Sequence, residues 1–104
     1  MSSYKKLNVR VECADGFSMS VQARKTLYCT PRVNNAPSYS EVEVGFPSAP
    51  EELLMDYCEE PQNPTETVYA YVPVQVVTNV IAKHGGMVEG DVPPGVAPLK
   101  ASRR

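Results

Sequence analysis

A proline in the middle and a glycine pair at the end divide the most apolar part of this chain, residues 67–86, into two kinds of element. Val68, Ala70 and Val72 alternate with Tyr69 and Tyr71, the period-two pattern of a strand with a core face and an aromatic outer face. Pro73 has no N–H to give a central ladder, but its fixed φ suits the start of a helix. From Val74 onward, Val74, Val76, Val77, Val80, Ile81 and His84 fall in one helical arc, with Gln75, Thr78, Asn79 and Lys83 opposite. Gly85-Gly86 supplies the left-handed stop. A strand running on through Val74 and Val76 would also keep the alternation, but the proline and the glycine pair favour strand–Pro–helix.

Upstream, Leu7, Val9, Val11 and Cys13 alternate with polar residues. After Ala14-Asp15-Gly16, so do Phe17, Met19, Val21 and Ala23, which predicts an N-terminal β-hairpin. Val42, Val44 and Phe46 then point inward from a third alternating run, with Glu41 and Glu43 outward and Pro47 as the stop. Ser48 and Glu51 have capping-box spacing before a helix whose apolar side would hold Pro50, Leu53, Leu54, Tyr57 and Cys58. Residues 41–47 and 67–73 share one strand–Pro pattern, so their strands could pair in parallel through a right-handed crossover. The fold expected is α+β: a hairpin plus two strand–Pro–helix units, in one small mixed or antiparallel sheet with two helices packed on it. Residues 1–88 form the single domain of this reading. Residues 89–104, with three prolines and a basic end, read as a flexible tail.

Charge is unevenly distributed. Residues 1–32 carry +4, residues 33–82 carry −8 without one Lys or Arg, and residues 83–104 carry +2. Glu52, Asp56, Glu59 and Glu60 would line the outer side of the second helix, and Glu41 and Glu43 would extend this acidic surface. The long connection at 25–40 holds two prolines and Asn34-Asn35, and offers Tyr28, Arg32 and Tyr39 as anchors of the types that interfaces favour.

Chemistry is harder to find. Cys13, Cys29, Cys58 and His84 lie 16, 29 and 26 residues apart, without the close pairs of a structural zinc site. Cys29 or Cys58 with His84 would be the one route to nucleophilic catalysis, and neither thiol has a local environment that favours a thiolate. Neither G-x-G-x-x-G nor G-x-x-x-x-G-K occurs, so no phosphate loop, cofactor or metal is implied. An overall acidic chain without a nucleic-acid-binding motif argues against direct nucleic-acid binding. No apolar run reaches membrane-spanning length, the N-terminus lacks a signal peptide's apolar region, and three unpaired cysteines fit a reducing cytoplasm.

The segments 39–48 (Tyr-Ser-Glu-Val-Glu-Val-Gly-Phe-Pro-Ser), 52–55 (Glu-Leu-Leu-Met) and 68–74 (Val-Tyr-Ala-Tyr-Val-Pro-Val), with His84-Gly85-Gly86, resemble small uncharacterised proteins of tailed-phage and prophage genomes. The resemblance spans roughly residues 17–88 and brings no activity or functional residue with it. It implies an accessory protein made in a bacterial host cytoplasm. Together these features point to a non-enzymatic binding protein, an inhibitor or modulator of a host defence or nucleic-acid-handling complex with a basic surface. Such a binding protein could itself be a homodimer, and the alternatives are a self-associating virion or assembly component and a small Cys/His-dependent enzyme.

Overall fold

A computed structural model of the protein describes residues 7–101. They form a small α+β domain: five strands in one antiparallel sheet, one α-helix and one 3-10 helix. The strands are β1 (Val11–Cys13), β2 (Ser18–Gln22), β3 (Glu41–Gly45), β4 (Val68–Pro73) and β5 (Met87–Glu89), in the spatial order β4-β3-β2-β1-β5. The 3-10 helix spans Glu52–Tyr57, and the α-helix, α1, spans Val74–Lys83. Among the described residues no helix is long and apolar enough to cross a membrane.

β1 and β2 pair with Val11 opposite Met19, around a tight turn in which Cys13 N–H donates to Phe17 O and the Asp15 carboxylate accepts from Phe17 N–H. Val11, Cys13, Met19 and Val21 supply the core side of the pair. Leu7 and Val9, expected in the same phase, are exposed instead. The ladder here has passed beyond the core, and Val9 trades its backbone bonds with Asp91.

β3 and β4 run antiparallel, which excludes the parallel crossover that their matching patterns allowed. The chain between them carries a single short 3-10 turn rather than a crossover helix. Phe46, expected inward, is 50 % exposed, because its φ of +49° swings the chain out of the strand and Pro47 is buried in its place. Arg10 donates to Phe46 O and holds that turn.

The strand that organises the chain is not a plain alternation. Val42 faces Val72 and Val44 faces Tyr69, so Glu43 stands opposite both Ala70 and Tyr71. This β-bulge moves Tyr69 and Val72 onto one core face. Tyr69 is therefore fully buried, not part of an outward aromatic face, and its hydroxyl donates to Pro64 O at 2.6 Å. Tyr71 alone stays exposed, at a φ of +52°, a region that side chains with a Cβ seldom adopt.

α1 follows Pro73 directly and buries Val77, Val80 and Ile81. It ends in a Schellman motif: Gly86 N–H reaches Ile81 O, Gly85 N–H reaches Ala82 O, and Gly85 takes a φ of +93°. The second helix is shorter and tighter than expected. Ser48 does not cap it; its Oγ accepts from Ser18 N–H and its own N–H donates to Ser18 O, extending β2. Glu51 is the N-cap, accepting from Leu53 N–H.

Residues 90–101 are not a loose tail. Val96 is buried, Tyr39 N–H donates to Pro94 O, and residues 99–101 pair with Met87 along the outer edge of β5. Gly95 sits so close to Tyr39 that a Cβ there would fall 2.2 Å from the Tyr39 carbonyl oxygen, so only glycine allows this packing. Residues 102–104, the rest of the expected tail, lie outside the described residues.

Replacing Tyr71 separates its backbone from its ring. Tyr71→Gly is expected to be more stable than Tyr71→Ala by about 1 kcal/mol in urea unfolding, because glycine accepts the positive φ. Equal stabilities would show that the bulge relaxes when the ring is removed.

Candidate functional site

Two groups of polar residues stand out, one at the surface and one half-buried. The first is built on the β4 bulge. Tyr71 presents its ring to Tyr28 at a centroid distance of 5.8 Å, and its N–H donates to Tyr28 O. The Arg32 guanidinium carbon lies 5.7 Å from the centre of the Tyr28 ring, while its Nε donates to Leu27 O. Glu43 accepts from Tyr28 N–H at 3.0 Å, and Glu41 accepts from the Thr30 hydroxyl at 2.7 Å. The connection at 25–40 thus brings Tyr28 and Arg32 together with Glu41, Glu43 and Tyr71.

Tyr39 is not part of this surface. It is only 3 % exposed, and its hydroxyl donates to Val33 O while accepting from Ala36 N–H, so it ties the connection to itself. A tyrosine in a proline-flanked loop reads equally well as anchor or staple, and here burial makes it a staple.

The acidic stripe is divided. Glu52, Asp56, Glu59 and Glu60 are all exposed, but the 3-10 helix ends at Tyr57. With three residues per turn, Glu52 and Asp56 are not stacked as they would be on an α-helix. Glu59 lies alongside β4, its N–H donating to Val68 O, and Cys58 bridges Tyr69. Among the described residues no salt bridge reaches any of these four carboxylates, or Glu41 or Glu43.

The second group joins three elements that are remote in sequence. His84, just past α1, has its Nδ1 2.6 Å from Asp15 Oδ2 in the β1–β2 turn and its Nε2 2.6 Å from Glu51 Oε1 at the 3-10 cap. Glu51 Oε2 also takes Lys83 Nζ at 2.8 Å and Leu53 N–H at 2.9 Å. Phe17 stacks on the imidazole at 4.1 Å, its plane 12° from parallel. Ionised carboxylates only accept, so both imidazole nitrogens are placed to donate, the arrangement that suits an imidazolium. Burial opposes that charge, but the bonds to Glu51 and Asp15 outweigh it and raise the histidine above its ordinary value. Burial likewise pushes Glu51 up, and the bonds from Lys83, His84 and Leu53 N–H bring it below the usual carboxylate range. Asp15 is lowered by Phe17 N–H and then by His84. Lys83 is raised by its bond to Glu51.

No sequence pattern announced this cluster. Glu51 satisfied capping-box spacing, Asp15 belonged to a turn, and His84 matched an apolar arc. Each reading was locally sufficient, so none asked for the other two.

The cysteines have other surroundings. Cys29 is fully buried with its thiol facing Arg24 O and Pro31 O, and burial pushes its pKa up. Burial also raises Cys13, with the Asp15 charge adding to it. Among the described residues no three His, Cys, Asp or Glu side chains are placed to hold a metal ion. Compared with family models, curated proteins and solved structures, the chain matches none of them.

The cluster gives stability a defined pH dependence. His84, raised in the folded state, contributes fully below about pH 6.5 and loses that contribution as pH rises through its elevated value. Asp15 and Glu51, both lowered, contribute above about pH 4 and lose it as pH falls through their depressed values. Stability should therefore peak between about pH 4.5 and 6.5. In thermal melts, His84→Gln should flatten the decline between about pH 6 and 8, below the range where the buried thiols add their own loss. An unchanged decline in the variant would assign the dependence to other groups.

Proposed function

We propose that this chain is a non-enzymatic protein-binding module, a phage-encoded inhibitor or modulator of a bacterial defence or nucleic-acid-handling complex, acting in the host cytoplasm through an acidic surface. One observation carries the reading. Glu52, Asp56, Glu59 and Glu60 are exposed and, among the described residues, none is neutralised by a salt bridge. Lys83 feels the Glu52 charge, but its ammonium is committed to Glu51. Unpaired carboxylates of this kind raise the on-rate and selectivity for a basic partner more than its affinity.

The Tyr28–Tyr71–Arg32 group supplies the other half of an interface: exposed aromatic area at low entropic cost, beside an arginine. Tyr71 is held there by a strained backbone, a feature that clusters at binding sites. His84 supports the non-enzymatic side of the proposal, since an imidazolium held by two carboxylates has no lone pair to accept a proton or activate a thiol. A self-associating assembly component would need an open sheet edge or an exposed Tyr69/Tyr71 face. Tyr69 is buried, Cys58 and Glu59 cover β4 beside it, and residues 99–101 cover β5, which weighs toward the binding reading.

Affinity capture from a bacterial lysate, identified by mass spectrometry, tests the proposal. The native chain should retain a defined protein complex. Joint reversal of Glu52, Asp56 and Glu59 to Lys should lose that complex while leaving the melting temperature within a few degrees, as expected for exposed positions. Capture that survives the triple reversal would remove the acidic surface from the account.

A further inference from the structure

One concavity among the described residues uses none of the acidic residues. It is a cleft of about 640 Å³ between the N-terminal end of the sheet, the connection after β2, and the turn at Pro93 and Pro94. That volume is in the range of small-molecule sites. Its charge runs against the rest of the molecule. Among the described residues Arg24 and Lys25 line it and no carboxylate does, although acidic residues outnumber Lys and Arg by 12 to 10 over the whole chain.

The walls are fixed without a ligand. Gln22 and Asn8 lock each other, Gln22 Oε1 accepting from Asn8 N–H while Gln22 Nε2 donates to Asn8 O. Asn34 Oδ1 accepts from Lys25 N–H and holds the mouth. Tyr39, through Val33 O, Ala36 N–H and Pro94 O, ties the far wall to the C-terminal segment. A rigid concavity spends less of its binding energy on ordering. Inside it, Ala36, Tyr39 and the prolines give apolar contact, and the Asn34 Nδ2 and Asn35 side-chain amides make no hydrogen bond within the described residues.

The geometry points to this cleft as a binding site for a small molecule that carries one anionic group, a carboxylate or a phosphate, on an apolar ring. Lys25 would meet the anion as a charge-assisted donor, with the Arg24 charge beside it. The ring would lie against Ala36, Tyr39 and Pro94, with the asparagine amides at its edge.

The site is tested by titrating the full ¹⁵N-labelled chain with benzoate, phenyl phosphate and, as the uncharged control, benzamide. At least one anion should shift the amides of Ala23, Lys25, Asn34, Asn35 and Ala36 in a saturable way, and benzamide should bind at least about tenfold more weakly. The tighter of the two anions identifies the ligand as a carboxylate or a phosphate. Lys25→Glu, an exposed position, should keep a dispersed spectrum and weaken the anion at least about tenfold, whereas Lys100→Glu should change nothing. Shifts that are absent, scattered over the surface, equally strong with benzamide, or unaffected by Lys25→Glu would overturn the site. Because no acidic-surface residue takes part, failure here leaves the proposed protein interface standing, and failure of that interface leaves the cleft.

Discussion

A histidine held between two carboxylates ties this fold together. Asp15 lies in the first turn of the sheet, Glu51 begins the 3-10 helix, and His84 ends α1, so one imidazole ring joins three elements that share no neighbouring sequence. Glu51 is almost fully buried and takes Lys83 and Leu53 N–H as well, leaving its desolvated carboxylate fully bonded. Removing one partner from such a group typically costs about 3–5 kcal/mol, because the remaining charge stays buried. A domain of this size has only about 5–15 kcal/mol to lose. The helix stop belongs to the same arrangement, since the Schellman turn at Gly85 and Gly86 sets where His84 sits.

With those elements fixed, backbone irregularities decide what faces outward. The bulge opposite Glu43 buries Tyr69 and displays Tyr71, and the turn at Phe46 puts a second aromatic at the surface. Both aromatics sit at positive φ, where ordinary side chains are strained, and both are held by hydrogen bonds from elsewhere in the chain or to it. Tyr28 and Arg32 complete the surface around Tyr71.

Much of the sheet was legible, because hydrophobic alternation reports burial directly. The paired runs around Asp15-Gly16, the inward Val42 and Val44, and the helix framed by Pro73 and Gly85-Gly86 all follow from period and punctuation. Alternation cannot reveal a bulge, and so Tyr69 was placed on the wrong face. Nor could proline and charge content reveal that residues 90–101 pack, since that depends on Gly95 meeting Tyr39 and Val96 finding a hole. At the site, Tyr28, Arg32, Glu52, Asp56, Glu59 and Glu60 are exposed as their types suggest, while Glu41 and Glu43 are half-buried. Tyr39 did not, because its hydroxyl found partners within its own loop. The Asp15–His84–Glu51 cluster was invisible for a related reason: it exists only through tertiary contact.

The proposed binding function casts the chain's single imidazole as a charged structural clamp and not a base. Long-range ¹H–¹⁵N correlation of the His84 ring at about pH 7 tests it most directly. Both ring nitrogens are expected to carry protons, with slowly exchanging N–H signals that persist well above the ordinary histidine pKa. A neutral ring with one protonated nitrogen at that pH would contradict the clamp, and would return His84 to the set of residues able to do chemistry.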